Sequence, residues 1–104
     1  MSPDEVLNTE ELERNLQRLP GWSYEAGTLR TRVACASAQQ AIDLFAEIAE
    51  LAQQAEHHPD VDWRYDKLLI ALTSHDVGGK ITARDVALAQ QISHAVLAAQ
   101  ADLG

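Results

Sequence analysis

Apolar residues along this chain keep either a helical or an alternating period, and the switches between them mark out the elements. Over residues 9 to 19, Leu12, Leu16 and Leu19 recur at helical spacing behind a Thr/Asn start, and Pro20-Gly21 stops the pattern, which predicts a short amphipathic helix. In "GWSYEAGTLRTRVACA", Trp22 and Tyr24 precede a glycine-containing turn at residues 25 to 28. Leu29, Thr31 and Val33 then alternate with Arg30 and Arg32, the pattern of a hairpin. The helical period returns from Ser37, a predicted N-cap, to about Ala55, with Ala41, Ile42, Leu44, Phe45, Ile48, Ala49, Leu51 and Ala52 forming a broad apolar face.

After Pro59 the alternation resumes through Val61, Trp63 and Tyr65 and continues through Leu68, Ile70 and Leu72. A two-residue turn at Asp66-Lys67 would pair Tyr65 with Leu68 and put both apolar sets on one face. Thr82 opens a last helix running to about Ala101, with Val86, Ala89, Ile92 and Val96 on one side; Thr82 and Asp85 have the spacing of a capping box. The order helix, hairpin, helix, hairpin, helix predicts an α+β domain: a four-stranded antiparallel sheet with three helices packed on one face.

Composition narrows the reading. A chain of 104 residues is expected to form a single domain over residues 1–104. With 46% hydrophobic residues but only five aromatic ones, its core must rest on Leu, Ile, Val and Ala. Eight basic against sixteen acidic residues leave a formal charge of −8, which repels phosphate backbones and argues against direct nucleic-acid binding. The first thirty residues carry Asp4, Glu5, Glu10, Glu11 and Glu13 without an apolar run, unlike a signal or transit peptide, and no segment reaches membrane-spanning length. A single cysteine, Cys35, reads as a buried or half-buried thiol, and a cytoplasmic location is expected.

Four histidines carry the candidate chemistry near neutral pH. His57 and His58 stand where Pro59 forces the long helix to end, a place where histidines also serve as simple helix caps. His75 follows the last strand residue, Leu72, so antiparallel pairing brings it to the end of the hairpin where His57 and His58 lie. His94 falls in the last helix, as a solvent or interface residue. A cluster of three histidines fits either an open metal site or metal-free general acid–base catalysis. Adjacent residues seldom aim both rings at one ion, and no HExxH or other recognised ligand spacing occurs, which favours the second.

The run "EHHPDVDWRY" followed by "LTSHDVGGKITARDVALA", with "LPGW" and "AIDLFAEIAELAQQAEHHP" upstream, resembles the pterin-4a-carbinolamine dehydratase family, also called 4a-hydroxytetrahydrobiopterin dehydratases. The resemblance spans nearly the whole chain. It implies a lyase that dehydrates a 4a-hydroxytetrahydropterin to the quinonoid dihydropterin in tetrahydrobiopterin recycling, without metal or other cofactor. It further implies catalytic roles for His57, His58 and His75, and substrate-binding roles for Pro59, Ser74, Asp76, Val77 and Asp85. A homodimer or homotetramer is implied too. Proteins of this family also act as interaction modules, as Rubisco assembly chaperones or transcription dimerisation cofactors, which is the alternative role. Two positions depart from the common pattern: Gln53 replaces an acidic residue one turn before His57, and Lys80 is one residue extra after Gly78-Gly79.

Overall fold

The computed structural model describes residues 5–104. Asp4, counted above among the N-terminal acids, lies outside the described residues. The chain runs α1 (Thr9–Gln17), β1 (Trp22–Glu25), β2 (Thr28–Ala34), α2 (Ala38–Ala55), β3 (Asp60–Arg64), β4 (Lys67–Leu72), a 3₁₀ turn (His75–Val77), α3 (Ala83–Ala98) and β5 (Asp102–Leu103). The strands pair antiparallel in the order β1-β2-β4-β3, and β5 pairs with β2 beyond the end of β1.

The predicted alternation sorts the sheet into two faces. Leu29 and Val33 of β2 stand beside Leu72 and Leu68 of β4, and all four are fully buried. Ala41, Leu44, Ile48 and Ala52 of α2, and Val86, Ala89, Ile92 and Val96 of α3, complete that core, while α1 adds the half-buried Leu12 and Leu16. Each large aliphatic side chain so removed from water contributes about 1.5–3 kcal/mol. Arg30 and Arg32 point to the opposite face, where Leu69 and Ala71 of β4 and Asp60 and Asp62 of β3 line an open trough.

Local signals explain the boundaries. Asn8 and Glu11 close a capping box on α1, Ser37 accepts from the Gln40 N–H, and Ala26-Gly27, both at positive φ, make the tight turn between β1 and β2. Helix α1 ends at Gln17, two residues before the expected Leu19, whose side chain instead enters the core from the turn. Helix α2 stops before Pro59 acts. Glu56 adopts a left-handed conformation, its N–H bonds the Gln53 carbonyl at 3.2 Å, and the His57 N–H reaches the Ala52 carbonyl at 3.1 Å. These bonds form a Schellman motif, so hydrogen bonding fixes the His57 backbone before the proline is reached.

Two further expectations need correction. The second hairpin turns at Tyr65-Asp66, so Arg64 faces Lys67 and Trp63 faces Leu68. Tyr65 takes a positive φ of 56° and leaves the strand; its carbonyl accepts from Trp63 Nε1 at 2.6 Å, and the Asp66 carbonyl accepts from the Cys35 N–H at 2.8 Å. Moving the turn by one residue shifts each partner by two, so Val61, Leu68, Ile70 and Leu72 keep their predicted face. Helix α3 ends at Ala98 instead of near Ala101, and the chain reverses at Gln100 into β5.

β5 explains Gly21. A Cβ there would lie 2.7 Å from the Leu103 carbonyl oxygen, and its φ of 87° already strains any larger residue. Gly21→Ala should therefore destabilise the fold by about 2 kcal/mol or more. Glu56→Gly should instead stabilise it by roughly 0.5–1 kcal/mol by relieving the left-handed non-glycine residue. Urea denaturation of the two variants checks both signs.

Candidate active site

The first turn of α3 organises the site. Asp85 is completely buried, and its carboxylate serves three partners. Oδ2 accepts from the Thr82 N–H at 2.8 Å, closing the capping box foreseen from sequence, and from Ser74 Oγ, also at 2.8 Å. Oδ1 lies 2.6 Å from Nε2 of His57, a ring only 8% exposed. A second contact, at 2.9 Å, joins the buried hydroxyls of Ser74 and Thr82. A carboxylate accepts and never donates, so Nε2 of His57 carries the proton and Nδ1 is left for other work. When the ring takes a second proton the contact becomes an ion pair.

His75 opens the 3₁₀ turn directly after Ser74 and is exposed. The Ser74 N–H bonds the Lys80 carbonyl at 3.0 Å, so the extra residue after the glycines is taken up as the far side of a small loop. Asp76 follows, its Oδ1 accepting from Arg84 Nη2 at 2.6 Å. That bond is the main reason the Asp76 carboxyl is held below the usual carboxylate range. Partial desolvation opposes it, while the charges of Arg84 and of His57 reinforce it. Since its folded value is lowered, the Asp76–Arg84 bond contributes stability above about pH 4 and loses it as the pH falls through the lowered value.

His58 points elsewhere. Its Nε2 contacts Oε1 of Gln53, and the pair lines a hollow of about 390 Å³ with Pro59, Phe45 and Val61. His57 and His75 do not line that hollow. A larger hollow, about 580 Å³, is the trough on the open sheet face, and none of the histidines lines it. The hydrogen-bonded groups and not cavity size mark the candidate site, because a proton-transfer site is defined by ionisable side chains within reach of one another. His94 is exposed on α3 and lines a third hollow with Arg18 and Leu97. Cys35 is a buried free thiol whose pKa is pushed up by burial and by the nearby Asp66.

The residues singled out from sequence thus fall into two groups. With Asp60 opposite Ala71, His57 precedes β3 and His75 follows β4 at the same end of that hairpin. His57, Ser74, Asp76 and Asp85 gather at the start of α3, whereas His58 and Pro59 turn toward Gln53. Val77 closes the 3₁₀ turn, half-buried. Asp85, expected at the substrate, sits behind His57 with no exposed surface. Two contributors were missed. From sequence Thr82 reads only as a helix cap, and Arg84 gives no signal of its own, since a charged residue at a helix start usually faces solvent.

Fold and site together define an α+β domain that presents a buried, carboxylate-bound histidine and an exposed one at a hairpin end. The family model described as "Pterin 4 alpha carbinolamine dehydratase" matches residues 5–95. A Mycolicibacterium smegmatis protein named "Putative pterin-4-alpha-carbinolamine dehydratase" is 39% identical over 88 residues, covering 85% of this chain and 93% of its own. A Roseiflexus castenholzii protein of the same name is 37% identical over 91 residues, covering 88% of this chain and 97% of its own. The crystal structure of a Brucella melitensis protein titled transcriptional coactivator/pterin dehydratase shares the fold, with a TM-score of 0.84 at 20% identity over 88% of this chain and 99% of its own. The chain belongs to the pterin-4a-carbinolamine dehydratase family.

Deleting the anchor should cost far more than deleting one of its donors. Asp85→Ala leaves the Thr82 N–H, Ser74 and His57 without their acceptor and should destabilise the fold by about 3 kcal/mol, against about 1 kcal/mol for Ser74→Ala. Urea titration at neutral pH reads the difference.

Proposed function

We propose that this chain dehydrates a 4a-hydroxytetrahydropterin to the quinonoid dihydropterin, using His57 and His75 as the acid–base pair, in tetrahydropterin recycling. The observation that carries the reading is the buried His57–Asp85 contact, in a chain whose relatives bear the dehydratase name. In the elimination the C4a–O bond breaks, the departing hydroxyl receives a proton and leaves as water, and N5 gives up its proton as the C4a=N5 bond forms. The step is redox-neutral, so its electron balance requires no cofactor. It does require one group to deliver a proton and another to remove one.

Asp85 fixes the tautomer and direction of His57, whose Nδ1 then accepts or returns a proton. This is an orienting role, and it replaces the substrate contact expected from resemblance, because a fully buried carboxylate already bonded to three groups has no face left for a ligand. His75, exposed at the head of its turn, supplies the second proton-transfer group. The segment 74 to 77, with Pro59, shapes the pocket and offers polar groups to the pterin edge. His58 orients the ring or shares in proton transfer from the Gln53 side. A cytoplasmic location and assembly as a homodimer or homotetramer complete the reading, and among the described residues no helix is long and apolar enough to cross a membrane.

A second reading, a protein-interaction module, draws on the exposed Trp63 of edge strand β3 and on the neighbouring Tyr65, 51% and 75% accessible. Stopped-flow dehydration of 4a-hydroxytetrahydropterin separates the two. The dehydratase reading expects acceleration over buffer, with losses of about 10²-fold or more in His57→Ala and His75→Ala, in line with general acid–base contributions. Wild-type rates in both variants would sink the assignment. No acceleration, together with stable capture of a large protein partner, would favour the module. Sedimentation velocity should show a dimer or tetramer, and a monomer would remove the assembly.

A further inference from the structure

We infer that Arg84 is a positioning residue for His75, acting through Asp76. The turn carrying His75 is closed mainly by its own backbone: the Val77 and Gly79 N–H groups bond the Ser74 carbonyl at 3.2 and 3.1 Å, and the Ser74 N–H bonds the Lys80 carbonyl. Those bonds shape the loop but do not aim it. Side chains on either side of His75 tie the loop to the body of the protein, and both reach the first turn of α3. Ser74 Oγ donates to Asp85, and Asp76 accepts from Arg84. With Ser74 alone held, the exposed imidazole would pivot about one fixed neighbour; the second tie removes that freedom. Asp85 also binds His57, so consecutive residues, Arg84 and Asp85, set the separation of the two proton-transfer rings.

The chemistry of the pair suits this role. The Arg84 side chain is only 25% exposed, whereas that of Asp76 is 60% exposed, so the guanidinium is the fixed partner and the carboxylate the part drawn to it. An ion pair with one end in water adds little to folding. Its loss should therefore show in geometry, where a displacement of about 1 Å can cost on the order of 10²-fold in rate.

The inference rests on the dehydratase reading, and its test separates the two. Arg84→Gln should lower kcat about tenfold with KM within about threefold and the thermal midpoint lowered by only a few degrees, while Arg84→Lys, which keeps one charged donor, should recover most of the rate. Arg84→Gln and Asp76→Ala together should be no slower than Asp76→Ala alone, because both cut the same link. By NMR, the imidazole resonances of His75 should shift in Arg84→Gln, and those of His94, far along α3, should not. Unchanged kcat, a loss confined to KM, or an unmoved His75 would overturn the inference. If the wild-type chain fails to dehydrate the pterin, the functional reading falls, and the clasp is then decided by the His75 resonances alone.

Discussion

The buried carboxylate of Asp85 is the constraint on which the rest of this molecule turns. A charge with no access to water is tolerated only when donors surround it, and here they come from three parts of the chain: the start of α3, the end of β4 and the corner after α2. One group therefore starts a helix, locks the strand exit that leads into the His75 turn, and fixes the tautomer of His57. Helix start, strand exit and histidine orientation share a single set of bonds. The Schellman motif at Glu56 completes the arrangement by fixing the His57 backbone independently of its side chain.

Much of the fold was legible because period and burial coincide. The alternation of Leu29, Thr31 and Val33 with Arg30 and Arg32 is copied directly into a buried and an open face, and of the stripe predicted on α2, Ala41, Leu44, Ile48 and Ala52 are buried while Ile42 and Ala49 stay exposed, so the face is narrower than expected. What could not be read were features that depend on one or two residues. The hairpin turn settled on Tyr65-Asp66 because the end of β2 captures the Asp66 carbonyl, a bond between segments far apart in sequence. β5 is too short to show an alternation, and only the close approach of Gly21 to Leu103 reveals why the chain returns there.

The candidate site was legible only as a set of residue types and a neighbourhood in the fold. Antiparallel pairing alone brings His57 and His75 to one end of a hairpin, so their proximity follows from topology. The direction of each ring does not. Adjacent in sequence, His57 and His58 point to different partners, one a buried carboxylate and the other an exposed amide. Asp85 shows the same limit. Its helix-cap spacing is visible in the sequence, but nothing there shows that the second oxygen of the same carboxylate also holds the His57 ring.

That double service bears on how such a chain diverges. A lineage without the proposed chemistry could exchange the exposed His75 freely, whereas His57 could give way only to another donor for the buried Asp85 carboxylate. Asp85 would remain under selection for the Thr82 N–H and the Ser74 hydroxyl alone. Its persistence is thus a poor marker of retained activity, whereas loss of the histidines around an intact carboxylate would be the signature of a fold repurposed without being rebuilt.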